Sequence, residues 1–449
     1  MQNRIAYGLY PALPTAKATV KRDWLALLFF TLLFILPLWP DFAEVKPGGI
    51  PNIAPPRLVR AALIFLAVLY LFQDRERSTV FFRRLRENWI PITLLLAFFA
   101  LRFASAFVSR FPALQIFAFV KNDFWSYLNI FFITLFVVRD ERDVKRVVNV
   151  IVFSGMIVGA AAVVEYFLKR NLFQGLISVT SDYMMSVLSD KTRDNVYRAQ
   201  ATLEHPLMLG QFFAMILPWC WYSMLYSNGR ILKVVALLSG LLGVAAIYAC
   251  GSRSSFAIAI PLVAIMFIWE LWRWTLRSHN RPAQYLMLLQ FPLLLGAFAG
   301  VLYYIKKVAA GTTHVTQGSA SIRLEMLNSG ISKLGDAMFL GHGLGDATSV
   351  VTFVGTGGVK TLDNYYLVVA LESGMIALLL NAVLWLYFLF SSFSLSRQKE
   401  TANARLAMLL GLSVLGYIII MTIHSLQGLT WLLFVIFGCL LVLKDKRGA

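Results

Sequence analysis

The feature that most constrains this chain is a recurring run of apolar residues close to the length of about 20 that an α-helix needs to cross a bilayer. Such runs centre on 24–40, 58–73, 89–107, 124–138, 147–167, 206–226, 231–249, 254–272, 284–305, 365–390, 406–424 and 428–443. Hydrophobic residues make up 59% of the 449 and charged residues only 14%, whereas a soluble domain sits nearer one half and one quarter. The solvent must therefore be lipid. The expected fold is all-α: a polytopic helical membrane protein of about twelve transmembrane helices, forming a single transmembrane domain over 1–449 with no internal repeat and no soluble domain.

The formal net charge is +18. In a soluble protein that would point to nucleic acid. Here the basic residues stand in short clusters between apolar runs, as in Arg75, Arg77, Arg83, Arg84, Arg86 and in Arg139, Arg142, Lys145, Arg146. Clusters of this kind mark loops held on the cytoplasmic side, so no nucleic-acid partner is expected. Arg4, Lys17, Lys21 and Arg22 precede the first run, which no A-x-A cleavage signal follows; we read it as a retained span. Both termini are expected inside, with the outer face of a bacterial inner membrane carrying two long segments, 168–205 and 306–363. The second is a large periplasmic loop in which Ile322, Met326, Ile331 and Leu334 fall near helical spacing, predicting an amphipathic helix over 321–334 that lies on the membrane surface. Gly341-His342-Gly343-Leu344-Gly345 and Gly355-Thr356-Gly357-Gly358 follow it and read as flexible turns.

Cys220, Cys250 and Cys439 lie in or beside apolar runs and show neither disulfide nor metal spacing. No paired histidine motif and no Walker A sequence is present, so no metal, no cofactor and no ATP hydrolysis by that route are expected. The informative residues are ionisable groups at the outer ends of spans, where charge is costly. Arg198 stands before Glu204-His205-Pro206, with Pro206 a natural helix start. Arg253 stands in the short turn Cys250-Gly251-Ser252-Arg253-Ser254-Ser255, with Ser254 and Ser255 able to cap the next helix and its N-terminus favouring an anion. Arg323 and Glu325 lie in the large loop. Asp363-Asn364 precede Tyr365, with Glu372 about two turns further on, where a carboxylate needs a partner. Each has a plainer alternative: Arg198 a snorkelling arginine, Arg253 an interfacial anchor, Arg323 a solvated helix face, Asp363 a helix cap.

Asp363-Asn364, nine residues and then Gly374 resemble the signature of the bacterial O-antigen ligase and polymerase superfamily, a His followed by Asn, Ser or Gln, nine residues, Gly, two residues, and Gly, Thr or Tyr. Asp363 replaces the usual His and Ala377 the last position. Arg323-Leu324-Glu325 followed by Gly341 to Gly345 is similar to the family's arginine-led loop helix and its G-x-G-x-G turn; Gly251-Ser252-Arg253 and Arg198 resemble two further motifs, in family order, over 195–380. The resemblance implies a metal-independent glycosyltransferase at the periplasmic face. Its donor would be an undecaprenyl-pyrophosphate-linked glycan and its acceptor a glycan or lipid-linked hydroxyl, in O-antigen or exopolysaccharide synthesis, with chain-length regulator or export proteins as partners. Asp363, Arg253 and Arg323 would be catalytic, and Arg198, Asn364, Glu325, His342 and Glu372 would bind substrate. Asp363 in place of His favours a polymerase over a lipid A–core ligase. The alternatives are a lipid-linked glycan flippase or transporter, and a non-catalytic component of an export complex.

Overall fold

The computed structural model describes residues 23–40, 54–173, 192–193, 196–277, 296, 314–351, 362–398 and 402–445. Helices dominate, as the composition requires, because in lipid every backbone N–H and C=O must be satisfied within the protein. The described helices are α1 (Trp24–Leu38), α2 (Pro55–Gln73), α3 (Arg75–Glu87), α4 (Trp89–Val108), α5 (Pro112–Phe119), α6 (Asn129–Val137), α7 (Glu141–Leu168), α8 (Pro206–Tyr226), α9 (Arg230–Ala249), α10 (Arg253–Arg277), α11 (His314–Lys333), α12 (Ala347–Val350), α13 (Tyr365–Ser396), α14 (Ala402–Ile420) and α15 (Thr430–Lys444). A two-stranded hairpin, β1 (Thr192–Arg193) and β2 (Val196–Tyr197), is the described sheet. Eight helices are long and apolar enough to span, and α1 and α15 are shorter apolar helices. The run at 124–138 is longer than the sequence suggests: α5, a π-helical stretch Val120–Leu128 and α6 follow one another without a break. Eleven of the twelve expected spans thus correspond to described helices, and the expected span at 284–305 lies, but for Gly296, outside the described residues.

Helix α8 sits at the centre, packed against α7, α9, α10 and α14. Trp219 Nε1 donates to Ser413 Oγ at 2.6 Å, and that hydroxyl donates to Met215 O at 2.8 Å, stitching α8 to α14. Lipid tails are as apolar as leucine, so helix association relies on close packing and such buried hydrogen bonds. Phe388 of α13 stacks on Phe437 of α15 at 3.9 Å for the same reason.

At one end of the bundle short polar segments are fastened by charge. Asp23, Asp74 and Asp140 accept from Ala26 N, Arg77 N and Asp143 N, capping α1, α3 and α7. Arg84, on α3, donates to Leu135 O, Val138 O and Arg139 O, satisfying carbonyls that the end of α6 leaves open. Helix α3 is one element that the hydropathy reading leaves as a loop.

Candidate functional site

The opposite end of the bundle is organised around a break in α13. Gly374 adopts φ +85° and ψ 171°, which splits the helix after Ser373. A Cβ there would lie 2.1 Å from Phe339 O, so glycine alone fits both the backbone angle and the contact. A broken helix exposes unpaired carbonyls and amides, which at membrane depth must find partners in the protein. The loop after α11 supplies them: His342 N donates to Leu371 O at 2.7 Å, Gly343 N to Glu372 O at 3.2 Å, and Met375 N to Met338 O at 2.8 Å. Ser105 Oγ on α4 also donates to Glu372 O, and Leu344 N donates to Ser105 O at 3.3 Å. Asp346 accepts from Ser109 Oγ at 2.9 Å and Arg110 N at 2.8 Å, closing the loop onto the end of α4.

The expectation of a flexible turn at Gly341 to Gly345 is therefore corrected: the segment is wedged between α13 and α4. Gly355 to Gly358 lie outside the described residues.

Helix α11 runs His314–Lys333, longer than the expected 321–334, with a 3₁₀ turn Leu334–Ala337 after it. Its apolar side packs on protein: Met326 is buried in a cluster with Leu362, Leu367, Val368 and Leu371 at the start of α13. This docking sets Arg323 opposite Asp363, with Arg323 Nε 3.8 Å from Asp363 Oδ2. The helix cap is Asn364, whose side chain accepts from Leu367 N at 3.1 Å, so Asp363 is released from the capping role that the sequence left open for it. Arg323 and Asp363 share the wall of a cavity of about 270 Å³, lined also by Asn364, Thr422 and the apolar side chains Leu324, Met326, Leu327, Leu362 and Leu367. Burial raises the pKa of Asp363 above the ordinary carboxylate value, with Arg323 pulling the other way. The linker after α14 is tied to this wall by Tyr365 N donating to Met421 O at 3.0 Å. His424, in that linker, is buried, and burial with the nearby Arg323 charge pushes its pKa down to about 4.

A second group holds Arg198 and Arg253. Arg198 Nε donates to Cys250 O at 2.9 Å, and its side chain crosses Gly251, where a Cβ would come within 3.3 Å of Nε. The Arg198 segment is fastened from both sides. Ala199 N donates to Ala249 O at 3.0 Å, and Glu165 of α7 accepts from Tyr197 Oη, Gln200 N and Ala201 N at 2.8–3.0 Å. Arg253 opens α10 itself, and the hydroxyl accepting in its first turn is that of Ser252, from Ser255 N at 3.3 Å, not that of Ser254 or Ser255 as expected. His205 caps α8 at Pro206 by accepting from Leu207 N. The two groups meet through α8: Gly210 packs against Ser252 and Ser255, while Met208 packs against Gly428 of the linker after α14.

Glu372 belongs to neither group. It is 3.8 Å from Arg102 Nη1, and Arg102 Nε holds Asp123 Oδ1 at 2.6 Å, all three buried between α4, the π-helical stretch and α13. Glu325 is exposed on α11, and His342 Nε2 sits 3.0 Å from Lys333 O. Arg102, Asp123 and Glu165 escaped the sequence reading, although Arg102 and Glu165 are ionisable residues inside apolar runs, the same signal that singled out Glu372, and Asp123 borders one. No group of three or more His, Cys, Asp or Glu able to hold a metal ion occurs among the described residues.

No curated protein matches the chain. Residues 237–382 match the family described as O-Antigen ligase. The matched segment holds Arg253, Arg323, His342, Asp363, Asn364 and Glu372, together with the glycine wedge and the break in α13; Arg198 lies before it. The described helices make this a multi-pass helical membrane protein, and its segment 237–382, about a third of the chain, is similar to the O-antigen ligase family.

Proposed function

We propose that this protein is a glycosyltransferase at the periplasmic face of the bacterial inner membrane, polymerising undecaprenyl-pyrophosphate-linked repeat units of a surface polysaccharide in preference to ligating them to lipid A–core. The observation that carries the reading is the cavity lined by Arg323 and Asp363, which joins a cation, a carboxylate and an apolar wall. A lipid pyrophosphate needs the cation and the apolar wall, and an acceptor hydroxyl needs the carboxylate. The bond from the sugar's anomeric carbon to the phosphate oxygen breaks, and undecaprenyl pyrophosphate leaves with the electron pair. Arg323 faces that growing negative charge, with Arg253 and Arg198 as further cations at the same end of the bundle, an arrangement that needs no metal. The acceptor hydroxyl attacks the anomeric carbon and gives its proton to Asp363, a stronger base in its partly buried setting than a free carboxylate. The basic clusters at the far end support an outside position for this end, with 306–363 as the periplasmic loop. Chain-length regulators or export proteins would act on the product.

The flippase reading has one observation in its favour: Arg102, Asp123 and Glu372 are charges inside the bundle. The void beside Asp123 is only about 10 Å³, about one water probe, which offers no path to a glycan.

Purified protein in detergent, incubated with lipid-linked repeat units and no ATP or divalent metal, should lengthen the glycan and release undecaprenyl pyrophosphate. A flippase would be silent there, since micelles have no sides. Full activity in both Arg253→Ala and Arg323→Ala would end the pyrophosphate role.

A further inference from the structure

Two buried donors, one on the cavity wall and one in the linker that borders it, lack an acceptor among the described residues. Arg323 Nε, although 3.8 Å from Asp363, makes no hydrogen bond among the described residues, and neither does His424 Nε2. His424 is only 3% exposed. Leu426 N donates to His424 Nδ1 at 3.3 Å, so Nδ1 presents its lone pair and the neutral ring carries its proton on Nε2. The ring stays neutral at physiological pH, because burial and the Arg323 charge both oppose a second proton. Nδ1 is engaged and Nε2 is protonated, so His424 is a poor base and a ready donor.

The linker that carries it is anchored at several points. Gln427 O accepts from Tyr127 Oη at 3.1 Å and from Thr430 N at 2.9 Å, Met421 O accepts from Tyr365 N, and Gly428 is pressed against Met208. Thr422, two residues before His424, lines the cavity with Arg323 and Asp363. An unmet buried donor two residues from the cavity wall, near enough to feel the charge of an arginine that has an unmet donor of its own, fits a site for an oxygen anion.

We infer that His424 is a substrate-binding residue, donating Nε2–H to an anionic phosphoryl oxygen gripped by Arg323. This rests on the reading above and adds to it a neutral donor. A second cation would repel Arg323 in the empty site, whereas an uncharged imidazole strengthens anion binding without that repulsion.

The test is calorimetric titration of inorganic pyrophosphate into the purified full-length protein in detergent, with sulfate as the control anion. The native protein should bind pyrophosphate, and Arg323→Ala should lose it. His424→Asn keeps an acceptor for Leu426 N but lacks the distal donor, and should weaken binding about tenfold or more, the loss expected of one hydrogen bond to a charged group. His424→Gln, which restores a distal donor, should recover much of that loss. In the native protein with ¹⁵N-labelled histidine, the Nε2–H tautomer of His424 should be seen at neutral pH and its resonance should move with pyrophosphate, a readout that needs no variant. Native-like binding by His424→Asn alongside loss in Arg323→Ala would overturn the role of His424 and leave the arginine site standing, as would an unmoved His424 resonance at saturation. Absence of binding to the native protein would remove the arginine site and the histidine with it.

Discussion

Arg102–Asp123 and Arg323–Asp363 are the same two residue types in two opposite settings. Arg102 Nε meets Asp123 at 2.6 Å, with side chains 5% and 8% exposed and Glu372 as a third member. Arg323 Nε stands 3.8 Å from Asp363, with side chains 40% and 37% exposed on an open cavity. Desolvation makes the first pair expensive to break, because removing one partner strands a buried charge. Water and distance make the second pair weak. The difference teaches which arginine can serve a ligand: a guanidinium tied to two carboxylates has a structural task, whereas one loosely facing a single carboxylate can turn to an incoming anion.

The largest effect expected from this contrast is on stability. Arg102→Ala would leave Asp123 and Glu372 as buried carboxylates without a cation, at a cost of about 3–5 kcal/mol. Thermal unfolding in detergent should show it as a much lower Tm or as loss of folded protein, and Asp123→Asn in the same chain should return part of the loss. A native-like melt for Arg102→Ala would erase the structural half of the comparison. Next comes Arg323→Ala, which should lower turnover of lipid-linked glycan about 10²–10³-fold, the usual consequence of removing one preorganised donor to a developing anion. Its Tm should stay within about 0.5 kcal/mol of the native protein in stability terms, as for a partly exposed substitution. A collapse in Tm would make the two arginines alike.

Gly374→Ala probes what carries Glu372 to the buried pair. Its φ of +85° and the Phe339 carbonyl at 2.1 Å from an added Cβ leave no room for alanine. Strain of this kind costs about 1–3 kcal/mol. If the wedge holds the break open, stability and turnover should fall together, since His342 and Gly343 pair with the carbonyls of Leu371 and Glu372 on the break's N-terminal side. A fall in Tm with native turnover would separate the buried triad from the cavity.

These residues also mark how far the sequence could be read. Apolar run length located the spans, because lipid leaves a chain few ways to cross, and the motif around Asp363-Asn364 and Gly374 located the cavity wall. Spacing could not tell Asp363 from Asn364 as the cap of α13, a choice made by whichever side chain reaches Leu367 N. Gly341 to Gly345 read as a turn because glycine reports backbone freedom and says nothing of what packs against it. Arg102 and Asp123 are 21 positions apart in sequence, so only the packing of α4 on the following helix reveals them as a pair. Helix α3 was hidden for another reason: its arginines obeyed the positive-inside pattern so well that they read as loop.

The smallest effect is the one that tests the sign of the second pair's electrostatics. Burial holds the pKa of Asp363 above its ordinary value, against the pull of Arg323. The native protein therefore keeps that proton to higher pH than the unfolded chain does. The resulting penalty is absent below the unfolded value of about 4 and fully present above the native one. Asp363→Asn removes the penalty, so at pH 7 the variant should melt slightly above the native protein, by no more than about 0.5 kcal/mol, and the gain should vanish as the pH falls towards 4. Turnover should move the other way. An ionised Asp363 is the proposed base, so native activity should decline as pH drops through its raised pKa, and the variant should be poor at every pH. If Asp363→Asn instead lowered stability at pH 7, attraction to Arg323 would outweigh burial, and the cavity pair would be a looser copy of Arg102–Asp123, held for structure.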